Sequence, residues 1–482
     1  MNYRMIIKIL GNILSIEALL MIPALLVAIY YNQWDIKTFV ICILITGSIG
    51  FIMSKIKVPN NKIKTKEGLA ISTFAWILVS FFGSLPFVIS GSIPSLVDAF
   101  FETVSGFTTT GSTILTNVEI LPKGVLFWRS FTVWIGGMGI LVFTLAIMPT
   151  LGVSGFQMFK AESPGPVKDR IVPKIKETSK ILYIIYGIIT ILEIILLMFG
   201  GMSLYDAALH TFANVGTGGF SPKNAGIGHY NSSYIHNVIS IFMILSGINF
   251  SLYFSAYKGK WRDVLKNEEL RFYFGTIIAS VILIALNLLA TSYSNVGIAL
   301  RDSLFQTSSI ITTTGFGTVD FDLWPTFSKA ILFLLMFLGG SAGSTAGGIK
   351  AVRVVILIKL VKRQIVKIFH PRAIVPVKLD GKTVSSDTIA SVTSFFILYL
   401  GIFVISTILI SLEGFDLESS ASAVIATLGN VGPGFGVVGP VLNFSIFSDL
   451  STLLFSILML LGRLELFTIL ALIAPSKWKN EV

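Results

Sequence analysis

The chain has 482 residues, of which 54% are hydrophobic and only 13% are charged, with a mean hydropathy of +0.83. An average soluble protein is about 25% charged, so the composition excludes a soluble protein and indicates an integral membrane protein. The single cysteine, Cys42, excludes an intrachain disulfide. With one cysteine and only four histidines in the sequence, a Cys/His zinc site is also excluded. The net charge of +11 points either to nucleic acid or to a membrane surface as a partner.

Apolar runs long enough to cross about 30 Å of hydrocarbon recur along the chain and predict ten transmembrane helices, with the long run 325–358 counted once. They lie near 6–30, 36–54, 68–90, 124–149, 179–199, 232–256, 272–291, 325–358, 388–411 and 446–474. The first run is longer than the apolar core of a signal peptide and lacks a cleavage site, so we expect it to be retained.

The basic residues are distributed unevenly between the two sides that these spans define. With a cytoplasmic N-terminus, 29 of the 36 Lys and Arg residues lie on the cytoplasmic side, chiefly in the loops 55–66, 160–180, 258–271 and 350–382. The positive-inside rule therefore predicts that both termini are cytoplasmic. Because topology accounts for most of the excess charge, we expect the lipid bilayer, and no nucleic acid, as a partner.

Four shorter half-apolar stretches lie between the spans and cannot cross the bilayer. They lie near 96–107, 204–214, 300–311 and 418–428. A short helix at membrane depth is tolerated only where protein or a wet cavity covers its backbone, so these stretches predict re-entrant segments.

The segments around these stretches form an internal repeat, in which an acidic residue precedes a glycine by a nearly constant interval. The pairs are Asp98 and Gly111, Asp206 and Gly219, Asp302 and Gly315, and, more loosely, Glu418 and Gly432. The sequence therefore predicts an all-α integral membrane protein with four units of span, pore helix, filter loop and span around one pore. Two extra N-terminal helices in 1–66 precede the predicted units 67–160, 161–258, 259–365 and 366–482.

Elementary electrostatics indicates a function for this repeat. The repeated aspartate suits the N-cap of each short helix, and the opposite helix end, with its partial negative charge, favours a cation. Glycine allows the left-handed angles that turn successive carbonyls the same way, and a ring of carbonyls replaces the hydration shell of potassium. The repeat therefore predicts a four-loop cation filter, whereas glycine kinks in helix packing are the alternative.

Further motifs are similar to one known family. They are Trp-Ile-Gly-Gly-Met-Gly at 134–139, Gly-Pro-Val-Lys-Asp at 165–169, the glycine-rich run at 339–348, His-Pro-Arg at 370–372, Asn-Val-Gly-Pro-Gly at 430–434 and Gly-Arg-Leu-Glu at 462–465. Over essentially its whole length the chain resembles the bacterial Trk potassium-uptake subunits, in the superfamily that includes KtrB and plant HKT transporters. The resemblance implies K⁺ uptake through a channel-like pore in the bacterial inner membrane.

The resemblance also implies that K⁺ is bound by backbone carbonyls of three residues in each loop. These are Thr109, Thr110 and Gly111; Thr217, Gly218 and Gly219; Thr313, Thr314 and Gly315; and Asn430, Val431 and Gly432. Because Gly216 and Gly434 offer other alignments, the register of the second and fourth loops stays open by a residue or two. One strongly placed glycine per loop, against two in a K⁺ channel, predicts weaker discrimination of K⁺ from Na⁺.

A glycine-rich stretch interrupts the long run 325–358. It comprises Gly339, Gly340, Ser341, Ala342, Gly343, Ser344, Thr345, Ala346, Gly347 and Gly348. Regular helix is disfavoured there, because each glycine costs about 1 kcal/mol relative to alanine. Nucleotide binding is not expected, since the Gly-Lys-Ser/Thr of a phosphate loop is absent. The resemblance implies a gate loop below the filter, and close helix packing through small residues is the alternative.

Arg463 is the one basic residue predicted deep within a span, where a charge is expensive. It predicts either a positive barrier below the filter or a structural contact with an acidic or carbonyl partner. Glu465 is two positions away and is expected to face a different partner. Lys350 and Arg353, which follow the glycine-rich stretch, would add to the same barrier or act as snorkelling anchors.

The loops are too short to hold a nucleotide-binding domain. The resemblance implies a separate cytoplasmic TrkA-like nucleotide-binding ring with RCK domains, and a homodimer with one pore per protomer. The basic loops 160–180 and 359–382 are either docking surfaces for that partner or a solvated positive face. Mouth carboxylates such as Glu102 would concentrate cations at the entrance.

Two other transport functions stay open. A Na⁺- or H⁺-coupled secondary transporter is favoured by Glu17 and Glu193, which fall inside predicted spans. A Na⁺-permeable transporter of the KtrB or HKT type is the second. An enzyme is not expected, because no Ser/His/Asp, Gly-x-Ser-x-Gly or His-Glu-x-x-His pattern is present.

Overall fold

The structure, a computed structural model, describes residues 2–58, 65–139 and 175–473. In this part the secondary structure is helical apart from one hairpin, in which Lys378–Leu379 pairs with Lys382–Thr383. The motif at 165–169, most of the basic loop 160–180, the predicted unit boundary at 160 and the end of the chain lie outside the described residues.

The N-terminal helices form a closely packed layer against the first predicted unit. The helices within residues 2–139 are α1 Tyr3–Leu20, α2 Ile22–Tyr30, α3 Ile36–Ser54, α4 Thr65–Ile89, α5 Leu96–Phe107 and α6 Lys123–Gly137. α1 and α3 approach each other at Gly11 and Gly50, where an added Cβ would lie within 3 Å of the facing helix. Small residues at such crossings allow backbones to pack closely in membranes.

The middle of the chain contains a sharply bent pair of helices. This part comprises α7 Ile175–Phe199, α8 Leu204–Val215, α9 Ser233–Ser246, α10 Phe250–Tyr257, α11 Trp261–Lys266, α12 Glu268–Thr291 and α13 Val296–Ile311. The predicted span 232–256 is not one straight helix, because α9 and α10 meet at 91°. Asn249 ends the break by accepting a 2.9 Å hydrogen bond from the N–H of Ser251, which makes it the N-cap of α10.

Two interruptions divide the C-terminal part. Its helices are α14 Thr326–Leu338, α15 Ala351–Phe369, α16 Ser386–Ser411, α17 Leu417–Leu428, α18 Asp449–Arg463 and α19 Phe467–Ile473. The glycine-rich stretch separates α14 from α15, as its composition predicts. The prediction of one span over 446–474 is wrong, because Glu465 and Leu466 have left-handed φ values of 57° and 41° and end the helix at Arg463.

Six of the described helical segments, with α1 and α2 counted as one, are long and apolar enough to cross a membrane, or seven if the bent pair of α9 and α10 is one span. α6, α14 and α18 are shorter, with 15, 13 and 15 residues. These three helices end at Gly137, Leu338 and Arg463, and Arg463 contacts the carbonyls of Gly136 and Gly137 at the end of α6.

Four short helices, α5, α8, α13 and α17, match the predicted re-entrant stretches, although α13 begins four residues early. Their N-caps are Ser95, Ser203, Asn295 and Asp416, so the prediction that the repeated aspartates cap them is wrong. Asp98 and Asp206 lie one turn later, and their N–H groups donate to the serines. Hydrogen bonds from Ser419 lower the pKa of the Asp416 carboxyl and favour its ionised, capping form.

Candidate functional site

The loops that follow the four short helices meet at the centre of the molecule in cyclic order. We call 109–111, 217–219, 313–315 and 430–432 the central loops. An added Cβ on the last glycine of each would come within 3 Å of a backbone carbonyl oxygen of the next. The pairs are Gly111 and Gly218, Gly219 and Thr314, Gly315 and Val431, and Gly432 and Thr110. Because the fourth loop contacts the first, the central loops form a closed ring.

All four central loops have one backbone conformation. The first residue of each has φ between 53° and 58°, and the third, a glycine, also has positive φ. The second N–H donates a bond of 2.8–2.9 Å to the carbonyl five residues earlier, in the pairs Thr110 and Ser105, Gly218 and Ala213, Thr314 and Ser309, and Val431 and Ala426. This is the Schellman pattern that ends helices. It aligns the second and fourth loops with the others, without a shift to Gly216 or Gly434.

The first position of three central loops is strained, because threonine rarely adopts left-handed angles, whereas the fourth has asparagine, which adopts them more readily. Hydrogen bonds hold all four side chains at this position, including that of Thr217, whose Oγ1 donates a 2.7 Å bond to the Gly216 carbonyl. Thr313 Oγ1 accepts a 2.7 Å bond from the N–H of Gly347, and Thr109 Oγ1 accepts a 3.2 Å bond from Arg463. Asn430 Nδ2 donates to the Met459 carbonyl at 3.0 Å. Strain of this kind is concentrated at functional sites, where the surroundings fix it.

A cavity of about 440 Å³ opens on one side of the ring and is lined by the third glycine of every central loop. The charged residues in its lining are Arg129, Lys223 and Asp320. We call this side of the molecule the vestibule side. Ser328, near the start of α14, bonds Asn287, near the end of α12, so the C-terminal end of α12 lies on the vestibule side. The opposite side, where α11, the start of α12 and the hairpin lie, is called the basic side.

Several of the acidic residues predicted at the mouth are paired with bases. Glu102 and Arg129 form a buried ion pair of 2.7 Å, and the Arg129 guanidinium lies 3.6 Å from the centre of the Phe220 ring. Glu102 also accepts hydrogen bonds from Thr113 and the N–H of Ile114, just beyond the first central loop. The other pairs are Asp206 with Lys223, Asp302 with Arg301, and both Asp322 and Glu418 with Lys329.

The glycine-rich loop, residues 339–348, lies directly against the central loops on the basic side. It is irregular, with positive φ at Gly339, Gly343 and Gly348. An added Cβ at Gly347 would lie 2.8 Å from Cβ of Asn430, so no larger residue fits beneath the fourth central loop. The glycine-rich loop also contacts the break between α9 and α10, where the N–H of Ser341 donates a 2.9 Å hydrogen bond to the Gly247 carbonyl.

Arg463 connects the ring to the glycine-rich loop. Its guanidinium donates to the carbonyls of Thr345, Gly136 and Gly137 at 2.7, 2.6 and 2.8 Å, besides the bond to Thr109. Glu465 instead pairs with Arg353 at 2.6 Å, so the two neighbours have different partners, as their spacing predicts.

The two basic residues after the glycine-rich loop are buried and directed inward. Lys350 is 4% exposed and donates from Nζ to the carbonyl of Ala346, so it is attached to the loop. Arg353 is 5% exposed and donates a 3.0 Å bond to the Ile349 carbonyl. Neither side chain snorkels to a surface, so that alternative is wrong for both residues.

A family model described as "TrkH: Cation transport protein" matches residues 32–481. The chain belongs to the TrkH family. The Trk system potassium uptake protein TrkH of Escherichia coli (strain K12) is 38% identical over 493 residues, with all of both chains covered. The protein TrkG of the same organism is 33% identical, with 99% of each chain covered. The resemblance inferred from the motifs is therefore confirmed.

A solved structure gives the same assignment for the fold. The crystal structure of the potassium transporter TrkH from Vibrio parahaemolyticus matches with a TM-score of 0.88 at 35% identity, covering 99% of this chain and all of the other. With its apolar helices, this TrkH-family chain is a multi-pass membrane protein.

Two residues of the site were not found from the sequence of this TrkH-family chain. Asn249 sets the bend that supports the glycine-rich loop, and Glu269 binds the glycine-rich loop itself. A polar residue at a helix boundary is ordinarily a solvated cap, so only the unusual bend or burial distinguishes these two. Their sequence context carries no other signal.

Proposed function

We propose that this TrkH-family protein takes up K⁺ across the bacterial inner membrane through the ring of central loops. The observation that carries the proposal is the closed ring of four loops with one backbone conformation. The relatives named above are potassium uptake proteins, and the solved relative is a potassium transporter.

K⁺ binding in the ring follows from the same geometry. Carbonyls of the three residues in each central loop replace water around the ion, as in other carbonyl filters. The C-terminal ends of α5, α8, α13 and α17 lead into these loops and add partial negative charge beside the ion. Because each loop has one glycine with positive φ at its third position, the ring is short and discriminates K⁺ from Na⁺ less strongly than a K⁺ channel.

The glycine-rich loop is the gate in this proposal. It lies against the basic side of the ring, contacts Thr313 and Asn430, and contains no large side chain. Its movement away from the ring opens the path. While the loop is closed, Arg463 acts as an electrostatic barrier, because its positive charge repels a K⁺ ion below Thr109. Lys350, attached to the loop through Ala346, adds positive charge at the same place.

Orientation and partners complete the proposal. The vestibule side faces outward and the basic side faces the cytoplasm, with both termini there, because most Lys and Arg residues are expected on that side. A TrkA-like nucleotide-binding ring docks on this basic side and moves the gate, and two copies of the chain form a homodimer. The hairpin and the exposed part of α15 are the described segments available to such a partner.

Ion uptake in cells that lack other K⁺ uptake systems tests the proposal. We expect wild-type protein, with its partner, to restore growth at low K⁺ and to take up radioactive rubidium. Reversal potentials in K⁺/Na⁺ mixtures then measure selectivity, which we expect to favour K⁺ but to fall below that of a K⁺ channel. Absence of uptake by well-expressed protein would contradict the proposal, and equal permeability would favour a Na⁺-permeable transporter.

A proton-coupled transporter is the second candidate, and one buried acid favours it. Glu193 of α7 is 0% exposed and forms no ion pair with a residue that the structure describes, but its carboxylate accepts a hydrogen bond from Asn214 at the end of α8. If uptake depends on this acid, Glu193→Gln abolishes the response of rubidium uptake to a pH gradient. Uptake that follows the K⁺ gradient alone in wild type and variant would exclude coupling.

A further inference from the structure

The carboxylate of Glu269 joins the two ends of the glycine-rich loop from a neighbouring helix. Glu269 lies in the first turn of α12 and is 6% exposed. Its Oε1 accepts hydrogen bonds from the N–H groups of Ala342 at 2.7 Å and Val352 at 3.1 Å. Ala342 is near the start of the loop and Val352 is just beyond its end, so one oxygen atom closes the loop at its neck.

The same carboxylate supplies the N-terminal cap that α15 otherwise lacks. Lys350 precedes α15 and forms no side-chain cap, whereas Val352 is the second residue of the helix. A carboxylate at this position accepts bonds from unpaired N–H groups and interacts favourably with the helix dipole. Hydrogen bonds to an ionised acceptor are about twice as strong as neutral ones. The position of the loop is therefore coupled to that of Glu269.

The hairpin on the basic side is attached to the same turn of α12. Its turn is formed by Asp380 and Gly381, with φ of 47° and 77°, as in two-residue hairpins of this type. The Asp380 carboxylate accepts a 2.8 Å bond from the N–H of Glu268 and a 2.9 Å bond from the side chain of Asn267. Movement of the hairpin turn therefore acts directly on the residue before Glu269.

Packing connects the hairpin to the loop along a second route. Leu379 of the hairpin packs against a small cluster of buried apolar side chains that includes Ala342 and Val352. Lys359 of α15 pairs with Glu268 and donates a 2.6 Å bond to the Lys378 carbonyl. The hairpin, the start of α12 and the start of α15 thus form one assembly around the neck of the glycine-rich loop.

We propose that Glu269 is the latch of the glycine-rich loop and that the hairpin turn at Asp380 sets the position of this latch from the basic side. The inference rests on the proposed gating role of the loop. Glu269 holds the loop closed through Ala342 and Val352, and displacement of the hairpin pulls the first turn of α12 and loosens both bonds. Glu269 acts on ion flow only through the loop, so it is a positioning residue.

A cysteine probe reports the position of the loop independently of ion flow. Cys42 is the only cysteine of the sequence, so Cys42→Ala leaves a clean background. Ser344→Cys then places a thiol of similar size on the loop, at a position that is 8% exposed. The rate of its modification by a water-soluble maleimide applied to the basic side, and rubidium flux, are measured on the full-length protein in the same proteoliposomes.

Four variants are compared in this background. Glu269→Ala removes the latch, Glu269→Gln keeps its size and an accepting oxygen without the charge, and Asp380→Asn weakens the hairpin attachment. Asp263→Asn, an exposed carboxylate of α11 on the basic side, is the matched control. We expect the modification rate and the basal flux to rise about tenfold in Glu269→Ala, because this factor corresponds to the loss of roughly one charge-assisted hydrogen bond. Both should rise less in Glu269→Gln and Asp380→Asn, and they should not change in the control.

The two readouts separate the latch from the gate. An unchanged modification rate in both Glu269 variants would overturn the latch, whatever the flux. Faster modification with unchanged flux would support the latch and contradict the gating role of the loop. If Glu269→Ala is not recovered as folded protein, Glu269→Gln gives the same comparison, because it keeps the volume of the side chain.

Discussion

The guanidinium of Arg463 donates a 2.7 Å hydrogen bond to the backbone carbonyl of Thr345, in the middle of the glycine-rich loop. The same guanidinium donates to Thr109 in the first central loop. One cation at the end of α18 therefore contacts both the loop proposed to close the pore and the ring proposed to select the ion. The contact with Thr345 has to change when the glycine-rich loop moves.

Arg463→Ala is expected to raise basal rubidium flux at least about tenfold, because it removes the barrier charge and hydrogen bonds to a charged group that are worth about 1.5–3 kcal/mol. Flux into proteoliposomes measures the effect. Arg262→Ala, which removes an exposed arginine of α11, serves as the control. Poorly folded protein without increased flux would instead assign a structural role to Arg463.

Deletion of residues 343–346 is expected to raise basal flux and to weaken its dependence on the regulatory partner. The deletion removes the contacts of Thr345 with Arg463 and Ser246, so the remaining loop no longer reaches across the basic side of the ring. Flux with and without the partner gives the comparison. Wild-type flux with wild-type regulation after the deletion would show that this loop is not the gate.

Gly432→Ala is expected to abolish uptake. Gly432 has φ of 104°, and an added Cβ would lie 2.7 Å from the Thr110 carbonyl oxygen, which forces the first and fourth central loops apart. Gly401→Ala in α16 is the matched control, because an added Cβ there has no neighbour within 4 Å among the described residues. Uptake at equal surface expression measures both, and normal uptake by Gly432→Ala would count against a carbonyl filter.

Glu102→Gln is expected to lower stability by about 3–5 kcal/mol, because it leaves the buried charge of Arg129 without its partner. Thermal unfolding in detergent measures the loss. The double variant with Arg129→Gln should lose less than the sum of the single changes. Lys223→Gln, which breaks the more exposed pair with Asp206, should cost only about 0–1 kcal/mol. Equal losses for the two single variants would contradict the role of burial.

The sequence was sufficient to predict the repeated core but not the polar contacts that fix it. The glycine at the third position of each central loop follows from the repeat, because only glycine fits where one loop contacts the next. The short helices were predicted from length alone. Their caps were not, since Ser95 and Ser203 compete with Asp98 and Asp206 one turn later, and either residue type serves as an N-cap.

Long-range contacts account for what the sequence did not reveal. The break after Arg463 is stabilised by carbonyls of Gly136 and Gly137, more than 300 positions away, so hydropathy predicts a continuous span. Glu269 has the sequence context of an ordinary acidic first turn. Its contact with Ala342 is made only when α12 packs beside the glycine-rich loop.

Rubidium uptake by purified protein in proteoliposomes, compared between wild type and Gly315→Ser, tests the central claim most directly. An added Cβ at Gly315 would collide with the Val431 carbonyl and would lie 2.8 Å from Cδ of Pro433, so the ring cannot keep its shape. We predict K⁺-competed uptake by the wild type and none by the variant. Equal uptake by both, or none by well-folded wild type with its partner present, would contradict a potassium filter formed by the central loops.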